Sequence, residues 1–349
     1  MKSILFVSGS MVRGGAERVI SILSDCYAKN GWSTKILTLL NNKVEYELNP
    51  AVELVDLSRF KKGKLSTLKL IKETRKYIKE AKPDVTVAFM GQIALVTWAA
   101  CIGLKTKLIL SERIDPAEVN RNFVVRTLIN RAYSKSDKTV LQTQRAWNYF
   151  PKKVQKNSII IGNPITVKTY ANEEYKNRFV TAGRLTEQKN HKMLIDAFKI
   201  IHDKHPDFSL TIYGEGPLRS ELEEYVLNFG LNGVVDLPGN VPDIHNKISD
   251  AYAFVLSSNF EGLSNALLEA MMMGLPCIST DCAGSDEAIQ NGENGIIVPR
   301  KNTEALANAM LSLIENTAFR NSIACEAKRS AEKYKTENII EEWKKAIEG

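Results

Sequence analysis

The chain of 349 residues is 44% hydrophobic and 25% charged, a composition typical of a folded globular protein and unlike that of a disordered or fibrous one. Its length exceeds the size at which a single core usually keeps growing, so we expect two domains of roughly 150 to 200 residues each. The net charge of +7 conceals an asymmetry, because residues 1–165 carry 28 Lys and Arg against 13 Asp and Glu, whereas residues 166–349 carry 19 against 27. The basic half can face nucleic acid, an anionic membrane or an acidic substrate, or it can simply be a solvated surface.

Targeting and metal-binding signals are absent from the sequence. The apolar run at the start is too short for a secretory signal, and no segment approaches the roughly 20 apolar residues that cross a bilayer, so we expect a cytoplasmic protein. Five cysteines without C-x-x-C spacing, and four histidines confined to residues 191–245, predict neither a disulfide framework nor a metal site.

The first half alternates short β-branched apolar runs with segments of helical periodicity. Such alternation predicts a parallel sheet covered by helices. The predicted strands are 4–9, 34–40, 52–57, 84–89, 106–112, 138–143 and 158–163.

The pattern pauses near residues 164–176, where a polar run predicts a linker, and then starts again. Three helices, 303–315, 317–333 and 336–348, are predicted to close the chain. The sequence therefore predicts two doubly wound α/β domains, 1–165 and 166–349, which face one another across a cleft, with the last helix (about 336–349) packed back on the first domain. The predicted strands of the second half are 179–183, 209–214, 234–239, 253–258, 276–280 and 295–299.

Gly14 and Gly15 follow the first predicted strand and open a helix. Glycines there allow the backbone to approach an anionic ligand at the helix start. The spacing from Gly9 does not fit G-x-G-x-x-G, which argues against a nicotinamide dehydrogenase. A plain tight turn is the alternative reading.

Two cations follow the first strand of the second half. Arg184 offers a planar fork of donors and Lys189 a mobile point charge, and Gly183 leaves room beside them. This pair is suited to holding a diphosphate from two sides, whereas a single cation in a loop is usually a solvent-exposed side chain without a binding role.

The stretch "NFEGLSNALLEAMMMG" (259–274) predicts strand, loop and helix, with Ser264 or Asn265 at the helix start. The loop amides and the positive helix end can hold a phosphate. Glu269 lies about one turn into the helix, where it can accept hydrogen bonds from a ribose diol, and Glu261 can accept from sugar hydroxyls. The spacing therefore suits a nucleoside diphosphate that carries a sugar.

These residues resemble the glycosyltransferases of the GT-B fold, family four. The resemblance rests on the order of "GGAER", "GNPI", "AGRLTEQKN", "YGEGPLRSEL", "EGLSNALLEAMMMGLPCIST" and "GENGIIV", and it spans essentially the whole chain. It implies a hexosyltransferase that retains anomeric configuration and uses no metal. The absence of a D-x-D element agrees with that implication.

The resemblance also implies roles for single residues. Arg184 and Lys189 hold the donor diphosphate, Glu261 orients the donor sugar, Glu269 binds the ribose and the backbone of Val241 contacts the base. Further contacts to the donor are implied for Gly14, Gly15, Gly183, Gly214, Gly262, Leu263, Ser264 and Asn265.

One loop departs from the pattern of many relatives, which carry a His near the donor sugar. The loop "SERIDP" (111–116) resembles that of transferases that build bacterial surface polysaccharides on polyprenyl diphosphate. Arg113 contacts the acceptor diphosphate or the donor sugar in this reading; the alternative is an internal salt bridge to Glu112 or Asp115.

Two basic segments of the first half, 59–79 and 120–135, combine cations with apolar residues such as Phe123 and Val124. We therefore expect peripheral attachment to an anionic membrane rather than nucleic-acid binding. The expected activity is transfer of GalNAc from UDP-GalNAc to an undecaprenyl-diphosphate-linked sugar in O-antigen or capsule synthesis. A UDP-sugar epimerase of the same fold and a non-catalytic nucleotide-sugar-binding protein are the alternatives.

Overall fold

A computed structural model describes residues 1–12, 14–61, 66–168 and 175–349. Part of the predicted linker, residues 169–174, and part of the first basic segment, residues 62–65, lie outside the described residues. The chain divides into two compact units: residues 1–164 with 336–349, and residues 165–335.

The first unit contains a seven-stranded sheet in which every strand pairs in parallel, in the order β3-β2-β1-β4-β5-β6-β7. The inner strands are apolar runs buried on both faces, as expected when helices cover both sides of a parallel sheet. The strands are β1 (Ser3–Ser8), β2 (Ser33–Thr38), β3 (Glu53–Asp56), β4 (Val85–Phe89), β5 (Lys107–Ser111), β6 (Lys138–Leu141) and β7 (Ser158–Ile160).

The helices between these strands bury one face each. In α2, for example, the buried positions are Leu70, Thr74 and Ile78, which recur every four residues and therefore form one stripe. The helices are α1 (Gly15–Lys29), α2 (Ser66–Ala81), α3 (Gly91–Cys101), α4 (Phe123–Lys135), α5 (Gln144–Tyr149) and α6 (Lys152–Gln155).

The second unit contains a six-stranded parallel sheet in the order β10-β9-β8-β11-β12-β13. All six residues of β11 are buried, so this strand lies in the centre of the unit beside β8. The strands are β8 (Lys176–Ala182), β9 (Ser209–Tyr213), β10 (Val235–Gly239), β11 (Ala251–Leu256), β12 (Cys277–Thr280) and β13 (Ile296–Val298).

Seven helices of the second unit connect and follow its strands. The longer ones bury apolar stripes on the sheet, as α7 does with Leu194, Phe198 and Ile201. The helices are α7 (His191–Lys204), α8 (Arg219–Asn228), α9 (Ile244–Ile248), α10 (Asn265–Met272), α11 (Ala283–Ala288), α12 (Thr303–Glu315) and α13 (Thr317–Ala331).

The last helix, α14 (Thr336–Glu348), packs in the first unit. The Trp343 indole is fully buried and stacks on the Phe89 ring at a centroid distance of 5.6 Å. The Lys107 ammonium donates to the Ile347 carbonyl at 3.0 Å. The two parallel α/β sheets predicted from the alternation are confirmed, and no helix in the described part of the chain is long and apolar enough to cross a membrane.

Candidate active site

Two loops of the second unit leave the sheet where its strand order reverses. Residues 183–190 follow β8 and residues 257–264 follow β11, and these two strands are neighbours although β9 and β10 separate them in the chain. Ligands of open α/β sheets bind outside the carboxyl ends of the strands at such a switch point. The predicted residues Arg184, Lys189 and Glu261 all lie on these two loops.

Hydrogen bonds join the two loops and hold them in register. The Asn259 amide donates to the Glu187 carbonyl at 2.7 Å, and its backbone N–H donates to the Gln188 carbonyl at 2.8 Å. The Gln188 amide donates to the Phe260 carbonyl at 3.1 Å. The Asn190 amide donates to the Asn259 side-chain oxygen at 3.2 Å. These hydrogen bonds, most of them donated by side-chain amides, therefore fix the positions of the two loops relative to one another.

Lys189 and Glu261 form an ion pair between the loops. The Lys189 Nζ lies 2.6 Å from Glu261 Oε1, and the side chains are only 14% and 11% exposed. The Ser258 hydroxyl donates to the same carboxylate oxygen at 3.0 Å. A Cβ on Gly183 would lie 2.9 Å from the Lys189 Cε, so the glycine makes room for the lysine stem. Such a buried pair persists because each charge is matched and hydrogen-bonded.

Arg184 has a different environment from Lys189. Its side chain is exposed, and no carboxylate in the described ranges lies within ion-pair distance of its guanidinium. Its backbone is held, since the carbonyl accepts from the Thr186 N–H at 2.9 Å and the next residue, Leu185, donates to the Glu215 carbonyl at 2.9 Å. Arg184 therefore contributes a positive charge that is not paired with a carboxylate of the described residues.

The loop from Gly262 to Asn265 leads into α10. Ser264 is the N-cap and its hydroxyl accepts from the Leu267 N–H at 3.5 Å, while Asn265 is the first helical residue. The positive end of the helix macrodipole lies at this loop and favours an anion. The backbone of Gly262 and Leu263 packs on Gly284 of α11 so closely that a Cβ on Gly284 would lie 1.8 Å from the Gly262 carbonyl oxygen.

Glu269 lies in the second turn of α10 and faces His245 of α9. The Glu269 Oε2 lies 3.4 Å from His245 Nε2, and the two side chains are 10% and 14% exposed. Val241, which is half-buried, precedes α9 by three residues. The pair therefore brings the segment that contains Val241 beside the second turn of α10.

Gly214 is explained by packing within the second unit. Its φ of +136° suits glycine, and a Cβ there would lie 2.0 Å from the Gly183 carbonyl oxygen. Its N–H donates to the Gly239 carbonyl at 2.9 Å. Gly183 and Gly214 are thus packed backbone against backbone.

His191 begins α7, two residues after Lys189. Burial, together with the Lys189 charge, lowers the pKa of His191 to about 4. The imidazole is therefore neutral at physiological pH. Positive charge in these loops comes from Arg184, Lys189 and the start of α10. Within the described parts of the chain, no group of three or more His, Cys, Asp and Glu side chains is placed to hold a metal ion.

Gly14 ends the loop after β1, where the strand order of the first sheet reverses, and Gly15 is the first residue of α1. Gly14 is the extended N-cap of α1, with φ −167°. Its N–H donates to the Tyr46 hydroxyl at 3.2 Å, and that hydroxyl donates to the Gly14 carbonyl at 2.8 Å. The atoms nearest to a Cβ built on Gly14 belong to the Glu17 carboxyl group, at 2.3 Å or more, which is the far end of a flexible side chain. Packing within the unit therefore does not require glycine at this position.

Arg113 is 7% exposed and is held by the chain after β7. Its guanidinium donates to the Ile161 carbonyl at 3.1 Å, to the Gly162 carbonyl at 3.0 Å and to the Asn163 side-chain oxygen. Burial lowers the pKa of Arg113 to about 9. These three acceptors fix the guanidinium inside the first unit.

The salt bridge from Arg113 to Glu112 or Asp115, the alternative drawn from the sequence, does not form in the described residues. Glu112 pairs instead with Arg121 at 2.9 Å and accepts from the Tyr133 hydroxyl at 3.2 Å. Asp115 lies 3.5 Å from Arg145. Neutral oxygens, rather than a neighbouring carboxylate, therefore accept the hydrogen bonds that Arg113 donates.

Three features of the site lacked a clear signal in the sequence. Ser258 stands three residues before Glu261, and that short spacing could have suggested a hydroxyl partner. Asn259 joins the loops through contacts 69 to 72 residues apart. His245 meets Glu269 from a separate helix, and no local motif marks it.

Comparison with known proteins identifies similar sequences and a similar fold. Residues 165–330 match the family described as "Glycosyl transferases group 1". A Campylobacter jejuni protein named "GalNAc-alpha-(1->4)-GalNAc-alpha-(1->3)-diNAcBac-PP-undecaprenol alpha-1,4-N-acetyl-D-galactosaminyltransferase" is 28% identical, with 99% of this chain and 98% of the relative covered. The amylovoran biosynthesis glycosyltransferase AmsD of Erwinia amylovora is 26% identical over 98% of both chains. The solved structure of Alr3699/HepE of Anabaena in complex with UDP is similar with a TM-score of 0.85, at 17% identity and over 99% of both chains.

The two parallel-sheet units and these structural neighbours define a protein of the GT-B fold, which confirms the predicted fold class. Residues 165–330 are similar to the group 1 glycosyl transferases, the relatives over the whole chain are named as glycosyltransferases, and the protein is a glycosyltransferase. The predicted enzyme class, a hexosyltransferase, is likewise confirmed. The finer assignment within that class stays a prediction.

Proposed function

We propose that the protein transfers GalNAc from UDP-GalNAc to an undecaprenyl-diphosphate-linked sugar in bacterial O-antigen or capsule synthesis. In this proposal the transfer is α-linked, retains anomeric configuration and needs no metal ion. The observation that carries it is the Lys189–Glu261 pair, 2.6 Å apart at the switch point of the second unit and on the loop that leads to α10. The name of the Campylobacter jejuni relative supports the donor and the acceptor class.

The diphosphate of the donor is bound by positive groups of the second unit. Arg184 supplies an exposed fork of donors, and the N-terminal end of α10 supplies amides and a positive dipole end. The Lys189 ammonium has three N–H donors, so a donor remains for a phosphate oxygen while Glu261 is engaged. In the same proposal Gly14 and Gly15 contribute backbone contacts to the diphosphate.

The sugar and the nucleoside are bound by the two carboxylates. Glu261 accepts a hydrogen bond from a hydroxyl of the donor sugar, since its second oxygen is not occupied by Lys189 or Ser258. Glu269 accepts from the ribose diol, and the backbone near Val241 contacts the base. The Glu269–His245 contact supports this arrangement because it places the Val241 segment beside Glu269.

In the proposed reaction the bond between the anomeric carbon and the diphosphate oxygen breaks through an oxocarbenium-like state. The acceptor hydroxyl attacks the same face of the sugar, and its proton passes to the departing diphosphate oxygen. Negative charge that develops on the diphosphate is stabilised by Arg184, Lys189 and the start of α10. Each such preorganised donor typically contributes about 3 kcal/mol when it acts in a transition state.

Arg113 is proposed to contact the acceptor diphosphate or the donor sugar.

The donor is tested by thermal-shift measurements with UDP, GDP and ADP sugars, followed by transfer to synthetic polyprenyl-diphosphate sugars. We expect UDP-GalNAc to raise Tm most and to be turned over in the presence of EDTA. Glu261→Ala, and Arg184→Ala combined with Lys189→Ala, are expected to abolish transfer in a chain that still folds, with Tm lowered because each change leaves one charge of the buried Lys189–Glu261 pair without its partner. The exposed Lys204→Ala is the control. Full turnover in the first two variants would overturn the site assignment, and restoration by manganese after EDTA would overturn the metal independence.

Membrane attachment is a separate part of the proposal. The Phe123 and Val124 side chains at the start of α4 are 72% and 63% exposed, and Arg126 lies over the Phe123 ring at 5.8 Å. Exposed apolar side chains beside cations are typical of segments that rest on an anionic leaflet. We propose that the protein works in the cytoplasm, peripherally attached to the inner face of the membrane through this end of α4.

Flotation with anionic and with neutral vesicles at low salt tests the attachment. The wild-type protein is expected to float with the anionic vesicles only, and the double variant Phe123→Ser, Val124→Ser is expected to stay at the bottom. If the wild-type protein does not float with anionic vesicles at low salt, the membrane attachment is refuted. The assignment of the active site does not depend on that result.

A further inference from the structure

His245 is held in a nearly closed environment on a helix of only five residues. Its side chain is 14% exposed, and its Nε2 atom is buried without an aligned hydrogen-bond partner among the described residues. Buried polar groups without a partner are rare in folded proteins, so each one calls for an explanation. The polar group beside this nitrogen is the Glu269 carboxylate, whose Oε2 lies 3.4 Å from His245 Nε2.

The other ring nitrogen determines where the proton of His245 resides. The backbone N–H of Lys168 donates to His245 Nδ1 at 3.3 Å. A nitrogen that accepts a hydrogen bond carries no proton in the neutral imidazole, so the proton is on Nε2. The neutral side chain therefore carries its N–H on the nitrogen that lies 3.4 Å from Glu269 Oε2, although the two groups are not aligned as a hydrogen bond in this structure.

We propose that His245 is a positioning residue for Glu269 and thereby sets the preference of the site for a ribonucleotide. This inference rests on the proposed role of Glu269 in binding the ribose. The Nε2–H takes one carboxylate oxygen, Oε2, and thereby presents the other oxygen, Oε1, to the ribose hydroxyls. The contact is long at 3.4 Å and tightens when the diol orders the carboxylate, as hydrogen bonds in binding sites often do.

The same histidine ties the start of the second unit to this carboxylate. Lys168 stands three residues after the first residue of the unit, and its Nζ lies 3.9 Å from Asp243, the residue that precedes α9. Backbone and side chain of Lys168 thus both contact the segment that carries His245. The imidazole is therefore held on its Nδ1 side by the backbone N–H of Lys168.

The binding of two nucleotides to five proteins tests the inference. Isothermal titration calorimetry measures Kd for UDP and for 2′,3′-dideoxyuridine diphosphate with the wild type, His245→Phe, His245→Asn and His245→Gln. Phe removes both nitrogens; Asn keeps an acceptor near Nδ1 but no donor near Nε2; Gln places an amide donor near Nε2. His202→Phe on α7, where the ring stacks on Phe198, is the matched control for loss of an imidazole in the same unit.

The wild type is expected to prefer UDP over the dideoxy nucleotide by about tenfold or more, the scale of a hydrogen bond to a charged group. His245→Phe and His245→Asn are expected to raise the Kd of UDP about tenfold and that of the dideoxy nucleotide less than twofold. His245→Gln and His202→Phe are expected to behave like the wild type. His245→Asn keeps the test valid should the phenylalanine variant fold poorly.

Three results would overturn the inference, and they are distinguishable from one another. Equal weakening of both nucleotides by His245→Asn would mean that the histidine has only a structural role. Unchanged UDP binding by His245→Asn would mean that Glu269 needs no positioning. A wild type that does not distinguish the two nucleotides would remove the ribose role of Glu269, and so that part of the proposed function as well.

Discussion

Gly284 provides the sharpest test of the loop that leads to α10. A Cβ built on Gly284 lies 1.8 Å from the Gly262 carbonyl oxygen and 2.5 Å from the Leu263 Cα. Since a carbon and a carbonyl oxygen ordinarily stay about 3.3 Å or more apart, Gly284→Ala must separate the two backbones by about 1.5 Å. Helix α11 cannot easily retreat, because the hydroxyls of Ser279 and Ser285 are hydrogen-bonded at 2.7 Å. The displacement therefore falls mainly on the loop between Glu261 and Ser264.

A displacement of about 1 Å in a catalytic site can lower the rate about 100-fold. We therefore expect Gly284→Ala to lower kcat/KM about 100-fold, which corresponds to about 2.7 kcal/mol of lost transition-state stabilisation. The same substitution is expected to lower the free energy of unfolding by about 1 to 3 kcal/mol through overpacking. Transfer kinetics and urea unfolding measure the two effects separately. Gly292→Ala is the control, because a Cβ there meets nothing within 4 Å and costs only the strain of a φ of +80°. Wild-type kcat/KM in Gly284→Ala, or an equal loss of activity in Gly292→Ala, would refute the reasoning.

Three further predictions concern charge, pH and packing. Glu261→Gln removes the counter-charge of Lys189, so UDP is expected to bind about fivefold more tightly by calorimetry while transfer is lost; weaker UDP binding would contradict this. The pKa of His191 is about 4 in the folded chain and near 6.5 in an unfolded one. Between pH 4 and pH 6.5 the unfolded chain therefore binds a proton that the folded chain does not bind. The folded state accordingly loses stability as the pH falls from 6.5 to 4. Urea unfolding at pH 7 and pH 4.5 is expected to differ by about 2 to 3 kcal/mol more in the wild type than in His191→Phe, and an equal difference in both would contradict it. Trp343→Ala is expected to lower the free energy of unfolding by about 3 to 5 kcal/mol, and Trp343→Phe by less than about 1.5 kcal/mol. Phe keeps the stacking on Phe89 and removes an indole N–H that is buried without a partner among the described residues. Similar urea midpoints for the two variants would contradict this prediction.

The fold was predictable from the sequence because its strands are short, apolar and buried on both faces. Each predicted strand overlaps a strand of the structure, and the disagreements occur at the ends. β8 begins at Lys176 rather than at 179, since its first residues are polar and are held by pairing, with the Lys176 N–H donating to the Asp250 carbonyl at 2.8 Å. β11 ends at Leu256 rather than at 258, because Ser257 and Ser258 use their side chains and carbonyls in the loop. Hydropathy marks the buried middle of a strand but not its polar ends.

The loops of the site were predictable, but the pairings within it were not. Local patterns place Lys189 after one strand and Glu261 after another, and each motif is readable within about ten residues. That the two side chains meet depends on β8 lying beside β11, which requires the strand order of the whole sheet. The same holds for Arg113, whose acceptors lie 48 to 50 residues further along the chain, and for His245 and Glu269, which lie on separate helices. Long-range partners of this kind follow from topology rather than from local residue patterns.

The distribution of charge in the site suggests how binding and chemistry are divided in the proposed reaction. Glu261 faces Lys189 and Glu269 faces His245, so each carboxylate has a basic side chain beside it, whereas Arg184 has no carboxylate within ion-pair distance in the described ranges. The net attraction for a diphosphate therefore comes mainly from Arg184 and the start of α10, because the charge of Lys189 is largely neutralised. In the proposed reaction Lys189 instead lies between the leaving group and the donor sugar. We propose that the ammonium is drawn toward the diphosphate, and away from Glu261, as negative charge grows on the diphosphate. The Glu261 carboxylate then stabilises the positive charge that develops on the sugar ring.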